Sequence, residues 1–311
     1  MCLISRNPDR KILPIEIFEK TIDDLEKLGC YYVGLSGGDP LVISNILDYV
    51  SYAKSKIPFV NLTTNGYSLS ADVARGLGAA GLDMLSLSID GFEETHDFIR
   101  NKKGAFKQAI KAIENMKTYA PEVGITVNTI IAGWNLEEII PLSKLIKELN
   151  VYHKFQPVYP HKSFADGQRE EQDKWISREI NVDRLTEIIA FLKKQKNVSN
   201  SRYFLSLIPD YFLAKVNRGL FVENKCSMPD FYCEFREDGC VYPCILGMDW
   251  ERGFSVRDGF KSVFFSEKYQ SEIKRLKEKC HKCQQILSIC YFEPRIVFPI
   301  KNFIRYNLLG V

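Results

Sequence analysis

Leu35-Ser36-Gly37-Gly38-Asp39-Pro40 directly follows the short apolar run Tyr31-Tyr32-Val33. Two glycines, a carboxylate and a proline at the C-terminal end of a strand predict a tight turn. Its bare carbonyls and its acid are suited to gripping an ammonium group. The turn reads as a clamp for a cofactor or ligand, and the elements on either side of it set the fold.

Outward from this turn the chain alternates. Pro14 to Leu28 has apolar residues at helical spacing, ends at Gly29 and gives way to Tyr32-Val33-Gly34-Leu35. Helices over 44–56, 71–80, 106–119 and 136–149 are each followed by a strand, at 59–63, 84–89, 125–131 and 151–158. Such alternation implies an α/β fold with a parallel sheet and right-handed crossovers. The first element is a helix with no strand before it, which suits a partial (β/α)6 TIM-like barrel lacking its first strand. Working residues of such folds lie at the carboxyl ends of the strands. There stand Gly37 to Pro40, Asn65, Ser88 with Asp90, Asn128 and Gln156. Gly, Asn and Asp also dominate turns for conformational reasons alone, so the conjunction on one rim carries the reading.

The 311 residues are 45% hydrophobic, enough for one large core and a smaller appendage. A net charge of +3 with interspersed acids gives no electrostatic footprint for nucleic acid. No segment reads as a secretion signal or a membrane span, so a cytoplasmic protein without a membrane partner is expected. Of nine cysteines, seven fall between Cys226 and Cys290, which in a reducing compartment argues for metal or redox chemistry over disulfides. His96-Asp97 by itself also suits a hydrolase metal dyad, but the four histidines, at 96, 153, 161 and 281, do not cluster in sequence.

Over roughly residues 2 to 290 the chain resembles the radical S-adenosylmethionine (SAM) enzymes. Gly37-Gly38-Asp39-Pro40 is similar to that family's Gly-Gly-Glu-Pro turn, with Asp for Glu, and Leu62-Thr63-Thr64-Asn65-Gly66 continues the match. Ser88-Ile89-Asp90-Gly91 followed by His96-Asp97 and Arg100 resembles the branch with SPASM or twitch extensions. The resemblance implies that the Gly37 to Pro40 turn binds the SAM amino group. It also implies that Ser88 and Arg100 bind the SAM carboxylate, a guanidinium offering a planar fork of donors. Asn65, Asp90, Asn128 and Gln156 complete the cofactor site expected on this rim. The family holds a catalytic 4Fe-4S cluster on a Cys-x3-Cys-x2-Cys loop. Here only Cys2 stands near the place of the third cysteine, so an N-terminal truncation is expected. Ligation needs three or four thiolates, so the chain as written is expected to lack a complete catalytic cluster and to be inactive.

The C-terminal cysteines comprise Cys226, Gly239-x4-Cys244 and Cys280-His281-Lys282-Cys283. Thiol pairs brought together from distant segments suit a tetrahedral zinc or an iron-sulfur cluster. The resemblance to SPASM and twitch domains points to an auxiliary 4Fe-4S cluster on Cys226, Cys244, Cys280 and Cys283. Cys233, Cys240 and Cys290 are reserves, and Cys30 is a small core residue. The expected domains are a partial-barrel core over 1–160, a loop and two helices (182–196 and 203–216) over 161–220, the Cys-rich domain over 221–295 and a tail over 296–311. The loop at 161–181 is a linker by composition, although it leaves the strand rim where a lid would sit.

As the resemblance implies, the activity is generation of a 5'-deoxyadenosyl radical that abstracts hydrogen from a peptide or a small hydroxylated molecule. An electron donor such as ferredoxin or flavodoxin would reduce the cluster. Two other readings compete: a non-catalytic zinc- or cluster-binding protein on a degenerate barrel, and an enzyme without SAM chemistry using the same rim.

Overall fold

The computed structural model describes residues 11–158, 180–213, 228–244, 253–279 and 287. The chain forms two compact units. The described part of the first is residues 29–158 and 180–199; the second takes the rest, including helix α1 (Ile15–Lys27).

In the first unit five strands, β1 (Tyr32–Leu35), β2 (Phe59–Thr64), β3 (Met84–Ser88), β4 (Gly124–Ile131) and β5 (Tyr152–Pro157), form one sheet in sequence order, every neighbour parallel. The connections carry α2 (Ile46–Lys56), α3 (Ala71–Ala79), α4 (Glu93–Arg100), α5 (Ala105–Tyr119) and α6 (Ile139–Glu148). Helix α7 (Val182–Leu192) follows β5, and His153 of β5 then makes an isolated parallel bridge to Val198.

The strands bury one face completely. Val60, Leu62, Leu85, Leu87, Val127, Ile131 and Phe155 are fully inaccessible, as are Val50, Ala53, Leu77, Ala109, Ile113, Leu142 and Ile146 of the helices. Burying side chains of this size contributes about 1.5–3 kcal/mol each, which holds the unit together. Helix α3 starts on a Ser70 cap, whose hydroxyl accepts from the Val73 N–H. Gly66, at φ +78°, turns the chain after β2 where a Cβ would lie 2.8 Å from Leu87 Cδ1.

The other face of the same sheet is largely polar, interrupted by Tyr32, Phe59, Met84, Ile130 and Tyr152. Residues in register share a face, so Asn61, Thr63, Ser86, Ser88, Thr126, Asn128, Lys154 and Gln156 lie together on it. Parallel strands usually run apolar on both faces. Here only one face is spent on the core.

The sequence expectation of α4 was absent, although Glu93–Arg100 is helical. The expected helix over 136–149 is a 3-10 turn, Leu136–Glu138, leading into α6. In the second unit α8 (Arg202–Phe212) stands where a helix over 203–216 was expected and ends at Phe212, and a small antiparallel sheet of β6 (Glu234–Phe235), β7 (Cys240–Tyr242) and β8 (Phe254–Ser255) was not foreseen. Helices α9 (Phe260–Phe264) and α10 (Glu267–Lys279) follow. Lys261 N–H bonds Asp24 at 2.9 Å, and Lys20 bonds the Arg257 carbonyl at 3.2 Å, so α1 counts with this unit and not with the sheet that follows it in sequence. No helix among the described residues is long and apolar enough to cross a membrane. The expected loop at 161–181 and the tail over 296–311 lie outside the described residues, apart from the last two positions of the loop.

Candidate functional site on the polar sheet rim

The turn after β1 is held by its own acid. Asp39 accepts from the Leu41 N–H at 3.0 Å, from the Thr64 hydroxyl at 2.8 and 2.9 Å, and from the Asn65 N–H at 2.8 Å. A carboxylate has about four lone-pair sites, so three donors leave little of it for a ligand. The side chain ties the turn to the end of β2. Ser36, Gly37 and Gly38 are exposed, and the Gly37 and Gly38 carbonyls accept no hydrogen bond from the described residues. Gly37 sits at φ +144° with open space where a Cβ would be. If this turn grips an ammonium, the available acceptors are backbone carbonyls, and Asp39 positions them.

Asn65 is exposed and its Oδ1 accepts from the Tyr67 N–H at 2.8 Å. Ser88 is half-buried, opposite Asn128, which is in turn opposite Lys154. Gln156 lies one row further along, opposite Ile130.

Asp90 is locked inside a network. Its Oδ1 accepts from the Ile130 N–H at 3.0 Å and its Oδ2 from Arg100 Nη2 at 2.5 Å. Its N–H donates to His96 Nδ1 at 3.0 Å, and its carbonyl accepts from Asn135 Nδ2 at 2.6 Å. The acid is 1% exposed and the arginine 27%. His96 is thereby a neutral acceptor at Nδ1; burial first, and the Arg100 charge second, push its pKa down to about 4. Arg100 Nε is buried with no hydrogen-bond partner. Asp90 therefore orients Arg100, and the guanidinium retains an unsatisfied donor.

Two residues that the sequence did not single out complete the rim. Asn135 also bonds the Ile130 carbonyl and accepts from the Ala132 N–H, fixing the loop after β4. Glu138 accepts from the Phe92 N–H and the Thr95 hydroxyl, capping α4, whose own N-cap residue Phe92 supplies no side-chain cap. An Asn before a predicted helix start was a visible signal; the reach of Glu138 across 46 positions was not.

Of the expected metal ligands, Cys2, Cys226, Cys280 and Cys283 lie outside the described residues, and no group of three or more metal-ligating side chains occurs among the described ones. Cys244 is buried at the end of β7. The β6–β7 pairing sets Glu234 opposite Tyr242, and Cys233 and Cys244 lie one and two residues beyond that pair. Cys240 is at the other end of β7, opposite Ser255. Four residues at about 3.3 Å each put its Cα about 13 Å from that of Cys244.

The family described as the Radical SAM superfamily matches residues 1–146, the stretch that carries this rim as far as β4. Residues 1–146 belong to the radical SAM superfamily. Its members use SAM with a 4Fe-4S cluster. An AdoMet-dependent heme synthase of Methanosarcina barkeri is 31% identical over 194 residues, covering 61% of this chain and 52% of the synthase. Mycofactocin maturase MftC of Mycobacterium tuberculosis is 25% identical over 225 residues, 72% of this chain and 54% of the maturase. The chain thus spans about half the length of these relatives. Streptococcus suis SuiB bound to S-adenosylmethionine shares the fold at a TM-score of 0.67 and 14% identity, over 91% of this chain and 66% of SuiB.

Proposed function

We propose that the protein is a radical SAM enzyme whose polar sheet face and rim bind SAM and substrate. The supporting observation is that one face of a parallel sheet is largely polar and half-buried, at the strand ends where α/β folds place ligands. In this reading the sheet is a partial barrel. The exposed Gly37 and Gly38 carbonyls take the SAM amino group, with Asp39 and Pro40 holding the turn. Ser88 and Arg100 take the SAM carboxylate, Arg100 through the donors that Asp90 leaves free. Asn65, Asn128 and Gln156 line the remainder of the site.

When bound, the reduced cluster and SAM together supply a 5'-deoxyadenosyl radical able to abstract hydrogen. The chain's own residues orient the cofactor and keep water from it. The substrate is a peptide or a small hydroxylated molecule. The peptide reading draws support from SuiB, which has been solved bound to the precursor peptide SuiA. In the C-terminal unit the hairpin brings the chain at Cys233 and at Cys244 to the same end of its ladder, and thiolates drawn from separate segments suit a cluster. The proposed auxiliary 4Fe-4S ligands are Cys244 with Cys226, Cys280 and Cys283, with Cys233, Cys240 and Cys290 in reserve.

Anaerobic reconstitution with iron and sulfide tests the reading. Iron and sulfide at cluster stoichiometry, together with SAM binding, are expected. Zinc at one equivalent with no iron and no SAM binding overturns it.

A further inference from the structure

Across the polar face of the sheet, Ser88, Asn128 and Lys154 form one register row on adjacent strands. Lys154 is half-buried, and among the described strand residues of that face it is the only charged one. Among the described residues its ammonium has no hydrogen-bond or ion-pair partner. By contrast, Lys54 of α2 holds Asp83 at 2.7 Å and Lys107 of α5 holds Glu93 at 2.8 Å. Partial burial penalises a cation that has no counter-charge. A ligand that supplies an anion removes that penalty.

We infer that Lys154 binds a carboxylate of the substrate, on the sheet face that the proposed SAM site shares. This rests on the radical SAM reading of that face. Two strand spacings put the Lys154 Cα about 10 Å from that of Ser88, beyond the SAM carboxylate that Ser88 and Arg100 already serve. Asn128, opposite Lys154, and Gln156, two residues along the same strand and on the same face, supply neutral amide donors. One cation with amide donors matches a single negative charge. A polyphosphate would call for several cations, and the face has one.

Isothermal titration of the full chain, with and without SAM, tests this using four probes: glutarate, glutaramide, acetyl-Ala-Glu-Ala-amide and its Gln counterpart. At least one carboxylate probe is expected to bind at least tenfold tighter than its amide. Lys154→Met is expected to abolish that preference, Lys154→Arg to retain it, and Lys144→Met, on the exposed side of α6, to leave it intact. Stronger binding of the glutamyl peptide than of glutarate identifies a peptide carboxylate, and the reverse identifies a small-molecule one. Absence of any carboxylate preference in the wild type, or its survival in Lys154→Met, overturns the inference. SAM binding in the same titrations separates this failure from failure of the radical SAM reading.

Discussion

Removing the Asp39 carboxylate tests whether this acid builds the turn or touches the ligand. In Asp39→Ala three donors lose their acceptor: the Leu41 and Asn65 N–H groups and the Thr64 hydroxyl. A hydrogen bond to a charged acceptor contributes about 1.5–3 kcal/mol, and water refills part of a site this open, so about 1 kcal/mol per donor is the appropriate figure. The sum is about 3 kcal/mol, which at about 2–4 °C per kcal/mol lowers Tm by about 6–12 °C. Asp39→Asn keeps one good acceptor and should cost about half as much. Thr64→Val removes the same hydroxyl contact from the other side. Thermal unfolding of both single variants and the double variant should then show a coupling of about 1–2 kcal/mol. SAM affinity should fall in Asp39→Ala as the Gly37 and Gly38 carbonyls lose their placement. A Tm change under about 2 °C, or a Thr64→Val cost that is the same with and without Asp39, would refute the positioning role.

Further outcomes follow from other parts of the molecule. His153 is fully buried: Thr129 donates its hydroxyl to the Ile89 carbonyl, so it must accept from His153 Nε2, and Nδ1 is left without a partner. Burial holds this ring's pKa down at about 3 and that of His96 at about 4. The unfolded state takes up protons near pH 6.5 and the folded state does not, so stability is full above that pH and falls as pH drops toward 4. At pH 5 the loss is about 2 kcal/mol per histidine, and denaturant titrations at pH 7 and pH 5 read it directly, with His153→Gln shallower than wild type. Gly66→Ala forces a side chain into positive φ and against Leu87 and Ala112, and urea unfolding should show a cost of about 2–4 kcal/mol. Cys233→Ala should lower iron per reconstituted chain by more than Cys240→Ala, since Cys233 stands at the same end of the β6–β7 ladder as Cys244 and Cys240 at the other. Asp90→Ala strips the partner from a half-buried guanidinium and should cost about 2–3 kcal/mol by thermal unfolding.

The five strands and most of their helices were legible because each carries its own periodicity and its own stop signals. Helix α4 was not, since Glu-Glu-Thr-His-Asp-Phe-Ile-Arg has little apolar face and its N-terminal cap, Glu138, lies far along the chain. The strands of β6, β7 and β8 are two or three residues long, too short to show a period. The rim residues were legible as a set, because turn chemistry marks the strand ends. The parts played by Asp39 and Asp90 were not, because their partners, Thr64, Ile130 and Asn135, are brought to them only by the parallel crossovers. Lys154 fell within a predicted strand, but its face could be assigned only from the register with Asn128.

Equilibrium binding of SAM to the anaerobically reconstituted full chain, compared between wild type and Ser88→Ala, tests the central claim most directly. Ser88 is half-buried and its hydroxyl holds no hydrogen bond among the described residues, so its removal is expected to leave the fold intact. The account predicts one SAM per chain and an affinity several-fold weaker in Ser88→Ala, as about 1 kcal/mol for one lost hydrogen bond requires. Iron-loaded protein that binds no SAM, or SAM binding unchanged in Ser88→Ala, would contradict it.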